Sequence, residues 1–286
     1  MKKIGRIIRI ISNQYTVEAE SLKYLCTARG KFRNIKTSPI VGDIVEIDLE
    51  SLTIDEILPR KNYLDRPVVS NIDVALIVTS LKKPDLSLTL LDKLISIVLI
   101  NKIEPIICFS KLDLLSKDEM KAFKSMRKIY ENIGIKTVTN KDKGKIKKIL
   151  KEKVAVVTGQ TGAGKSSLLN KLDKRLDLET KPISEALNRG VHTTRHVELF
   201  EIGNFFIVDT PGFSAVDFGP VSIEDLKDSF VEFKNFRCGF NDCTHYKEKK
   251  CRVKDGVDAG LIAKSRYENY LRFLGEVYES NSKLFK

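Results

Sequence analysis

Residues 154–172 read VAVVTGQTGAGKSSLLNKL, and this stretch decides the fold of the largest part of the chain. An apolar run typical of a buried strand leads into a glycine-rich turn, and a segment with helical spacing follows. The turn fits the pattern GxxxxGK[ST] of a phosphate-binding P-loop. A chance glycine-rich turn is the alternative, and the agreement of strand, loop and helix with the motif favours the P-loop. The stretch therefore predicts a nucleoside triphosphate site.

Each residue type in the turn has a chemical role in such a site. Glycines let backbone N–H groups surround the phosphates at a helix N-terminus. We expect Lys165 to reach the β- and γ-phosphates and the hydroxyl of Ser166 to bind Mg²⁺. The predicted phosphate-binding residues are Gly159, Gln160, Thr161, Gly162, Ala163, Gly164, Lys165, Ser166 and Ser167.

A carboxylate at the end of another apolar strand is the second candidate for the phosphate site. Residues 205–208 form the apolar run, and Asp209-Thr210-Pro211-Gly212 follows it, 43 residues after Ser166. We expect Asp209 to hold Mg²⁺ directly or through water, and the Gly212 N–H to contact the γ-phosphate. A turn without a ligand is the alternative, and the preceding strand and the spacing favour the phosphate role.

A polar segment between these two motifs has the composition of a switch loop. Residues 188–195 read NRGVHTTR. In a switch loop a threonine hydroxyl binds the Mg²⁺ that accompanies the γ-phosphate. Thr193 and Thr194 are both candidates for this role, and the spacing does not separate them.

A guanine-binding motif normally has an aspartate after a buried strand, because its carboxylate accepts two N–H bonds that adenine does not offer. Strand 105–109 is followed by Ser110-Lys111-Leu112-Asp113, so we predict that these four residues contact the base. Residues 101–104, NKIE, are a weaker candidate, because they precede a strand and end in the longer glutamate. We interpret them as a helix end. The base motif thus comes before the P-loop along the chain.

Three cysteines and one histidine crowd within residues 238–251, CGFNDCTHYKEKKC. Cys238, Cys243, His245 and Cys251 match the ligand set of a closed tetrahedral Zn²⁺ site, which leaves no position for substrate water. The predicted zinc is therefore structural rather than catalytic. Four surface residues without a metal are the alternative. Cys26 and Cys108 lie in apolar runs, and we expect them in the core.

The pattern along the chain predicts three modules: a small β-barrel of OB type over residues 1–64, an α/β domain with a parallel sheet over 65–222, and a helical zinc-binding domain over 223–286. The barrel strands are expected at residues 4–11, 14–19, 22–28, 43–48 and 53–58. OB barrels commonly bind oligonucleotides, and residues 29–33 place charge beside the ring of Phe32. A barrel whose basic loop has no ligand is the alternative.

The charge balance favours an anionic partner, since the formal net charge is +12. Residues 117–153 alone carry about +8, which fits either a solvated helical surface or a binding face. The sequence has neither a long apolar segment nor an apolar N-terminal leader, so we expect a cytoplasmic protein without membrane contact.

With its base motif before the P-loop, the sequence resembles the circularly permuted GTPases, and over essentially the whole chain it resembles the ribosome small-subunit-dependent GTPase A family (RsgA). The resemblance implies GTP hydrolysis with Mg²⁺, one structural Zn²⁺, and binding and release of a monomer from the small ribosomal subunit and its rRNA in late assembly. It points to His192 as the residue that positions the attacking water, because Phe213 stands where Ras-like enzymes have a glutamine. An exposed histidine without a catalytic role is the alternative.

The base motif departs from the family pattern, and two other functions are alternatives to this interpretation. Ser110 replaces the usual asparagine of the base motif, so the bracing of the base loop is in question. A nucleotide-gated RNA-binding protein with negligible hydrolysis is the first rival. A P-loop ATPase or kinase, for which Asp113 would be incidental, is the second.

Overall fold

The computed structural model describes residues 1–30, 32, 38–65, 67–176, 197–208 and 217–284. Its first five strands close into a barrel in the order β1-β2-β3-β5-β4. These strands are β1 (Lys2–Ile11), β2 (Gln14–Ala19), β3 (Leu22–Ala28), β4 (Ile44–Asp48) and β5 (Thr53–Ile57). Alternate residues point inward, as a barrel requires, so that Ile7, Val17 and Val45 are fully buried. The predicted barrel is confirmed.

The aromatic residue of the predicted nucleic-acid loop lies inside this barrel. Phe32 is 7% exposed and packs in the barrel core, because burying an apolar ring is worth more than leaving it in water. The expectation that this loop offers a ring to an oligonucleotide is therefore wrong. Arg29 pairs with Asp55 at 2.8 Å, and Lys31 and Arg33 lie outside the described residues.

A six-stranded sheet forms the centre of the α/β part, in the order β10-β9-β8-β11-β13-β12. A small hairpin, β6 (Tyr63–Asp65) and β7 (Val68–Ser70), precedes it. The sheet strands are β8 (Val74–Ser80), β9 (Glu104–Ser110), β10 (Lys136–Thr139), β11 (Val154–Thr158), β12 (Leu199–Ile202) and β13 (Phe205–Val208). Only β12 runs antiparallel, so the carboxyl ends of the other five meet at one edge.

Helices cover this sheet: α1 (Leu88–Ile100), α2 (Lys117–Asn132), α3 (Lys143–Leu150) and α4 (Lys165–Leu172). Both faces are apolar and buried, which explains why β8 and β11 read as continuous hydrophobic runs. A capping box between Ser116 and Glu119 fixes the start of α2. The lysines of residues 143–148 on α3 are exposed, which fits both a solvated helical surface and a binding face.

The C-terminal part is a helical lobe around the metal-ligand candidates. It comprises α5 (Ile223–Ser229), a 3₁₀ helix (Val231–Asn235), α6 (Arg252–Asp258) and α7 (Lys264–Leu284). Phe230, Tyr270 and Phe273 are fully buried in its core. The helical character predicted for this part of the chain is confirmed, and α7 is its longest helix. Among the described residues no helix is long and apolar enough to cross a membrane.

Candidate nucleotide site and metal centre

The P-loop follows β11, and its glycines are required by its backbone. Gly159 has φ +132°, and a Cβ at this position would collide with the backbone oxygen of Val78. Gly164 has φ +94° and caps α4, which begins at Lys165. Residues with side chains rarely adopt such angles. The loop therefore brings the strand tightly into the N-terminus of α4, the end at which anions bind.

The cation of the P-loop lies across the loop itself. Lys165 Nζ donates to the carbonyl oxygens of Gly159, at 2.8 Å, and Gln160, at 3.0 Å. Burial lowers the pKa of the Lys165 ammonium, because desolvation penalises its charge. A phosphate group beside this cation would offset that cost. Ser166 and Ser167 lie in the first turn of α4, directly after the loop.

The base motif touches the P-loop directly through Ser110. The Ser110 hydroxyl, 2% exposed, donates to the carbonyl oxygen of Ala163 at 2.6 Å. The Thr79 oxygen, at 3.3 Å, is a more distant acceptor for the same proton. The serine thus braces the base loop against the P-loop, and the contact joins positions 53 residues apart. Parallel pairing of β9 with β8 and of β8 with β11 makes this approach possible.

The aspartate of the base motif is accessible. Asp113 lies in a single 3₁₀ turn, Leu112–Leu114, directly after the end of β9, and its side chain is exposed. Lys111, with φ +58°, precedes it, and its ammonium donates to the backbone oxygen of Lys83. The competing segment Asn101–Glu104 is a helix end followed by a strand, as expected. Glu104 pairs with Lys136 and Lys153 at the opposite edge of the sheet from Asp113.

Several predicted site residues lie outside the described residues. These are Asp209, Gly212, Phe213 and the switch residues His192, Thr193 and Thr194. The strand before Asp209 is placed: β13 pairs with β11, with Val208 opposite Val156. Strand β13 therefore ends at the same edge as the P-loop strand. The roles of the six residues stay predictions.

The four metal-ligand candidates converge in the C-terminal lobe. Their ligand atoms lie within 4.8 Å of one another. His245 Nδ1 is 3.3 Å from Cys243 Sγ, 3.4 Å from Cys251 Sγ and 3.6 Å from Cys238 Sγ. Cys238 and Cys251 are 3.8 Å apart at sulfur. Zn–S bonds of about 2.3 Å would place tetrahedral sulfurs about 3.8 Å apart, so the cluster has the dimensions of a zinc site.

The helix after the cluster holds the ligand loop in place. Tyr270 donates its hydroxyl hydrogen to the Thr244 carbonyl oxygen at 2.6 Å, and Tyr267 donates to the His245 oxygen at 2.7 Å. Glu248 accepts from the backbone N–H of Thr244 at 2.7 Å. A metal bound at this cluster would therefore stabilise the same short segment that α7 holds.

Two polar features of the site and its surroundings have no clear signal in the sequence. Asn140 follows β10, donates its backbone N–H to the Phe109 oxygen at 2.9 Å, and so lies beside the base-motif strand. Strand β10 has only four residues, which gives a weak periodic signal. The second feature is a buried ion cluster around Arg266, Asp92 and Glu232. Its members are far apart in sequence, and no local pattern marks them.

The fold and motif order together define the class. A P-loop between parallel strands, with a guanine motif braced to it from a preceding strand, is the arrangement of a circularly permuted P-loop GTPase. The model of the RsgA GTPase family matches residues 57–219, and that of the RsgA N-terminal domain matches residues 4–54. The chain belongs to the RsgA GTPase family.

Individual relatives extend this similarity over nearly the full chain. The small ribosomal subunit biogenesis GTPase RsgA 2 of Oceanobacillus iheyensis is 44% identical over 96% of this chain and 97% of its own length. The crystal structure of YjeQ from Thermotoga maritima superposes with a TM-score of 0.84, at 34% identity, over 97% of this chain and 99% of that one. The crystal structure of YloQ, a circularly permuted GTPase, superposes with a TM-score of 0.83 at 33% identity. The match covers 98% of this chain and 96% of that one.

Proposed function

We propose that this GTPase couples hydrolysis of GTP to its binding to and release from the small ribosomal subunit during late assembly. The observation that carries the nucleotide-binding part is the 2.6 Å hydrogen bond from Ser110 to Ala163, which fixes the base motif against the phosphate loop. A ligand that spans both loops is then held at two ends by one rigid edge of the sheet. This geometry suits a nucleotide, and the exposed Asp113 carboxylate would select guanine.

Each site residue has an assigned task in this proposal. Ser110, Lys111, Leu112 and Asp113 hold the base, with the Asp113 carboxylate on the guanine N–H groups. Residues 159–167 bind the phosphates, and Asp209 and Gly212 respond to the presence or absence of the γ-phosphate. Thr193 or Thr194 completes the switch, and His192 positions the attacking water. Mg²⁺, when bound, would be held by Ser166, by the switch threonine and, directly or through water, by Asp209, and it would neutralise charge between the phosphates.

The zinc ion is proposed to have a structural role. Cys238, Cys243, His245 and Cys251 supply four ligands, which closes the coordination shell and leaves no position for a reacting water. Zinc would fix the loop that carries the surrounding lysines and arginines. Those cations would then meet RNA phosphates at defined positions.

The partner in this proposal is the small subunit and its rRNA. Relatives that match along nearly their whole length carry the name small ribosomal subunit biogenesis GTPase. The net charge of +12 suits a polyanionic partner. We propose that the protein acts as a monomer in the cytoplasm, where assembling subunits are found.

Co-sedimentation with purified ribosomal subunits tests the coupling. Binding should be strong to small subunits with a non-hydrolysable GTP analogue, weaker with GDP, and absent for large subunits under the same conditions. The physical reason is that the switch residues contact only the triphosphate, so the loss of the γ-phosphate changes the bound surface. Equal binding with analogue and GDP would contradict the coupling, whereas equal binding to both subunits would contradict the partner.

A further inference from the structure

A cavity of about 420 Å³ opens beside the metal-ligand cluster, on the C-terminal lobe. Ligand pockets in proteins typically measure about 300–1,000 Å³, so this cavity has room for a small ring-containing group. Its lining includes the rings of Phe233, Phe236 and Phe240 and the cations of Lys227, Lys234 and Arg237. Asp228, Asn241 and three of the metal-ligand candidates, Cys238, Cys243 and His245, complete the lining. We call it the Phe240 cavity.

The ring of Phe240 is unusually exposed to solvent. Phe240 is 66% exposed, whereas Phe233, which also lines the cavity, is 4% exposed and belongs to the core. Cys238 and Cys243 flank Phe240 in sequence, and the Cys243 N–H donates to the Phe240 carbonyl oxygen at 3.3 Å. The ring is thus carried on a segment whose two ends are metal-ligand candidates. A fixed, exposed ring of this kind provides a stacking platform.

Three cations and one carboxylate, Asp228, line the cavity, so its charge is positive on balance. Lys234 and Arg237 are exposed, and neither has a carboxylate within 4 Å among the residues that the structure describes. Lys227, by contrast, already pairs with Glu224 at 2.9 Å. Residues 234–254 contain seven lysines and arginines but two carboxylates. One of these two carboxylates, that of Glu248, accepts hydrogen bonds from backbone N–H groups. The surface around the cavity therefore attracts anions.

We propose that the Phe240 cavity binds one unstacked base of single-stranded RNA, with the base on Phe240 and the adjoining phosphate at Lys234 and Arg237. An apolar peptide side chain would cover the ring but leave both cations unpaired. A free polyphosphate would satisfy the cations but leave the ring in water. A nucleotide of a single strand satisfies both, whereas the bases of a duplex are already stacked on each other. The proposal rests on the proposed function and gives it a defined RNA contact.

Photocrosslinking of the zinc-loaded full chain to an oligouridylate that contains 5-iodouridine tests the contact. The halogenated base reacts with an aromatic side chain on which it stacks, and mass spectrometry of the crosslinked peptide identifies that side chain. We expect the crosslink at Phe240. A crosslink confined to the barrel or to another segment would overturn the proposal.

Affinity for the same oligouridylate provides the matched comparison. Phe240→Ala should weaken binding by about 5- to 150-fold, the loss expected for one stacked base, and Phe240→Tyr should retain it. Leu261→Ala is the control, because Leu261 is 73% exposed on the same lobe and does not line the cavity. Arg237→Gln should reduce the slope of log affinity against log salt by about 0.7. Unchanged affinity in Phe240→Ala, at wild-type zinc content, would overturn the proposal.

The same variants separate failure of this inference from failure of the proposed function. If the wild type and Phe240→Ala bind intact small subunits equally, the cavity proposal fails and the partner stands. If Phe240→Ala weakens binding to intact subunits but not to any single-stranded RNA, the cavity contacts a protein, and the proposal also fails. If the wild type binds no small subunits but the crosslink forms at Phe240, the cavity proposal stands and the partner is wrong.

Discussion

Arg266 Nη1 lies 2.7 Å from Asp92 Oδ1, and this buried contact joins the C-terminal lobe to a helix that covers the GTPase sheet. Arg266 is on α7 and Asp92 on α1, 174 positions apart, and both are almost completely buried. Glu232 adds a second carboxylate to the guanidinium, while Tyr130 and Asn269 donate to Asp92. Burial would lower the pKa of Arg266, but the two carboxylates outweigh it and hold the pKa above its usual value. The two parts are therefore linked by charge as well as by apolar packing.

Removing the guanidinium should destabilise this junction strongly. In Arg266→Leu, Asp92 and Glu232 would remain buried without their cation, a change that typically costs about 3–5 kcal/mol. We expect a loss of this size in the free energy of unfolding measured with urea. Lys264→Ala is the control, since the Lys264–Glu268 pair on the same helix is exposed and such pairs contribute little. A loss for Arg266→Leu no larger than that of the control would contradict the junction.

Ser110→Ala tests the brace between the base loop and the P-loop. The variant removes the hydroxyl that donates to the Ala163 oxygen and leaves that acceptor unpaired. A hydrogen bond of this kind contributes about 0.5–1.5 kcal/mol, so affinity for GDP should fall about two- to tenfold. Titration with a fluorescent GDP analogue measures it. Ser125→Ala, which removes an exposed hydroxyl contact on α2, should bind as the wild type does. Equal affinity in both variants would show that the brace is dispensable.

Asp113→Asn tests the guanine contact. In the proposed complex the Asp113 carboxylate accepts two N–H bonds from guanine, whereas an amide offers one donor and one acceptor, which match xanthine instead. We expect GTP affinity to fall at least about 100-fold and XTP affinity to rise. Competition binding with both nucleotides gives the answer. Asp118→Asn, a change at an exposed carboxylate on α2, is the control. GTP binding that survives in Asp113→Asn would exclude this residue as the base reader.

Loss of one ligand should release the metal and loosen the lobe. Cys251 is 1% exposed in the cluster, and Cys251→Ser should reduce zinc content from one ion per chain to near zero. Protease resistance of residues 231–258 should fall with it, because the loop loses its cross-link. Cys26→Ala, in the barrel core, should keep its zinc. Full zinc content in Cys251→Ser by atomic absorption would remove Cys251 from the ligand set.

The sequence predicted most reliably what is encoded locally. The P-loop, its strand and its helix adjoin one another, and the metal ligands lie within one short segment, so spacing alone identified them. The position of Phe32 was predicted wrongly, because a charged neighbourhood does not reveal on which side of the chain a ring is buried. The boundaries proposed at residues 64/65 and 222/223 stay predictions.

Contacts between distant elements could not be predicted in this way. The Ser110–Ala163 bond depends on the order β9-β8-β11 in the sheet, and the Arg266–Asp92 pair depends on how α7 packs against α1. Neither order nor packing leaves a periodic signal. Ser110, which replaces the usual asparagine of the base motif, therefore forms the contact between this motif and the P-loop.

Steady-state hydrolysis of GTP and ATP, alone and with purified small or large ribosomal subunits, tests the central claim most directly. We expect turnover of GTP but not ATP, raised strongly by small subunits and unaffected by large ones, because a partner must complete a site in which Phe213 replaces a water-orienting glutamine. Turnover that small subunits do not change, or that ATP supports equally well, would contradict it.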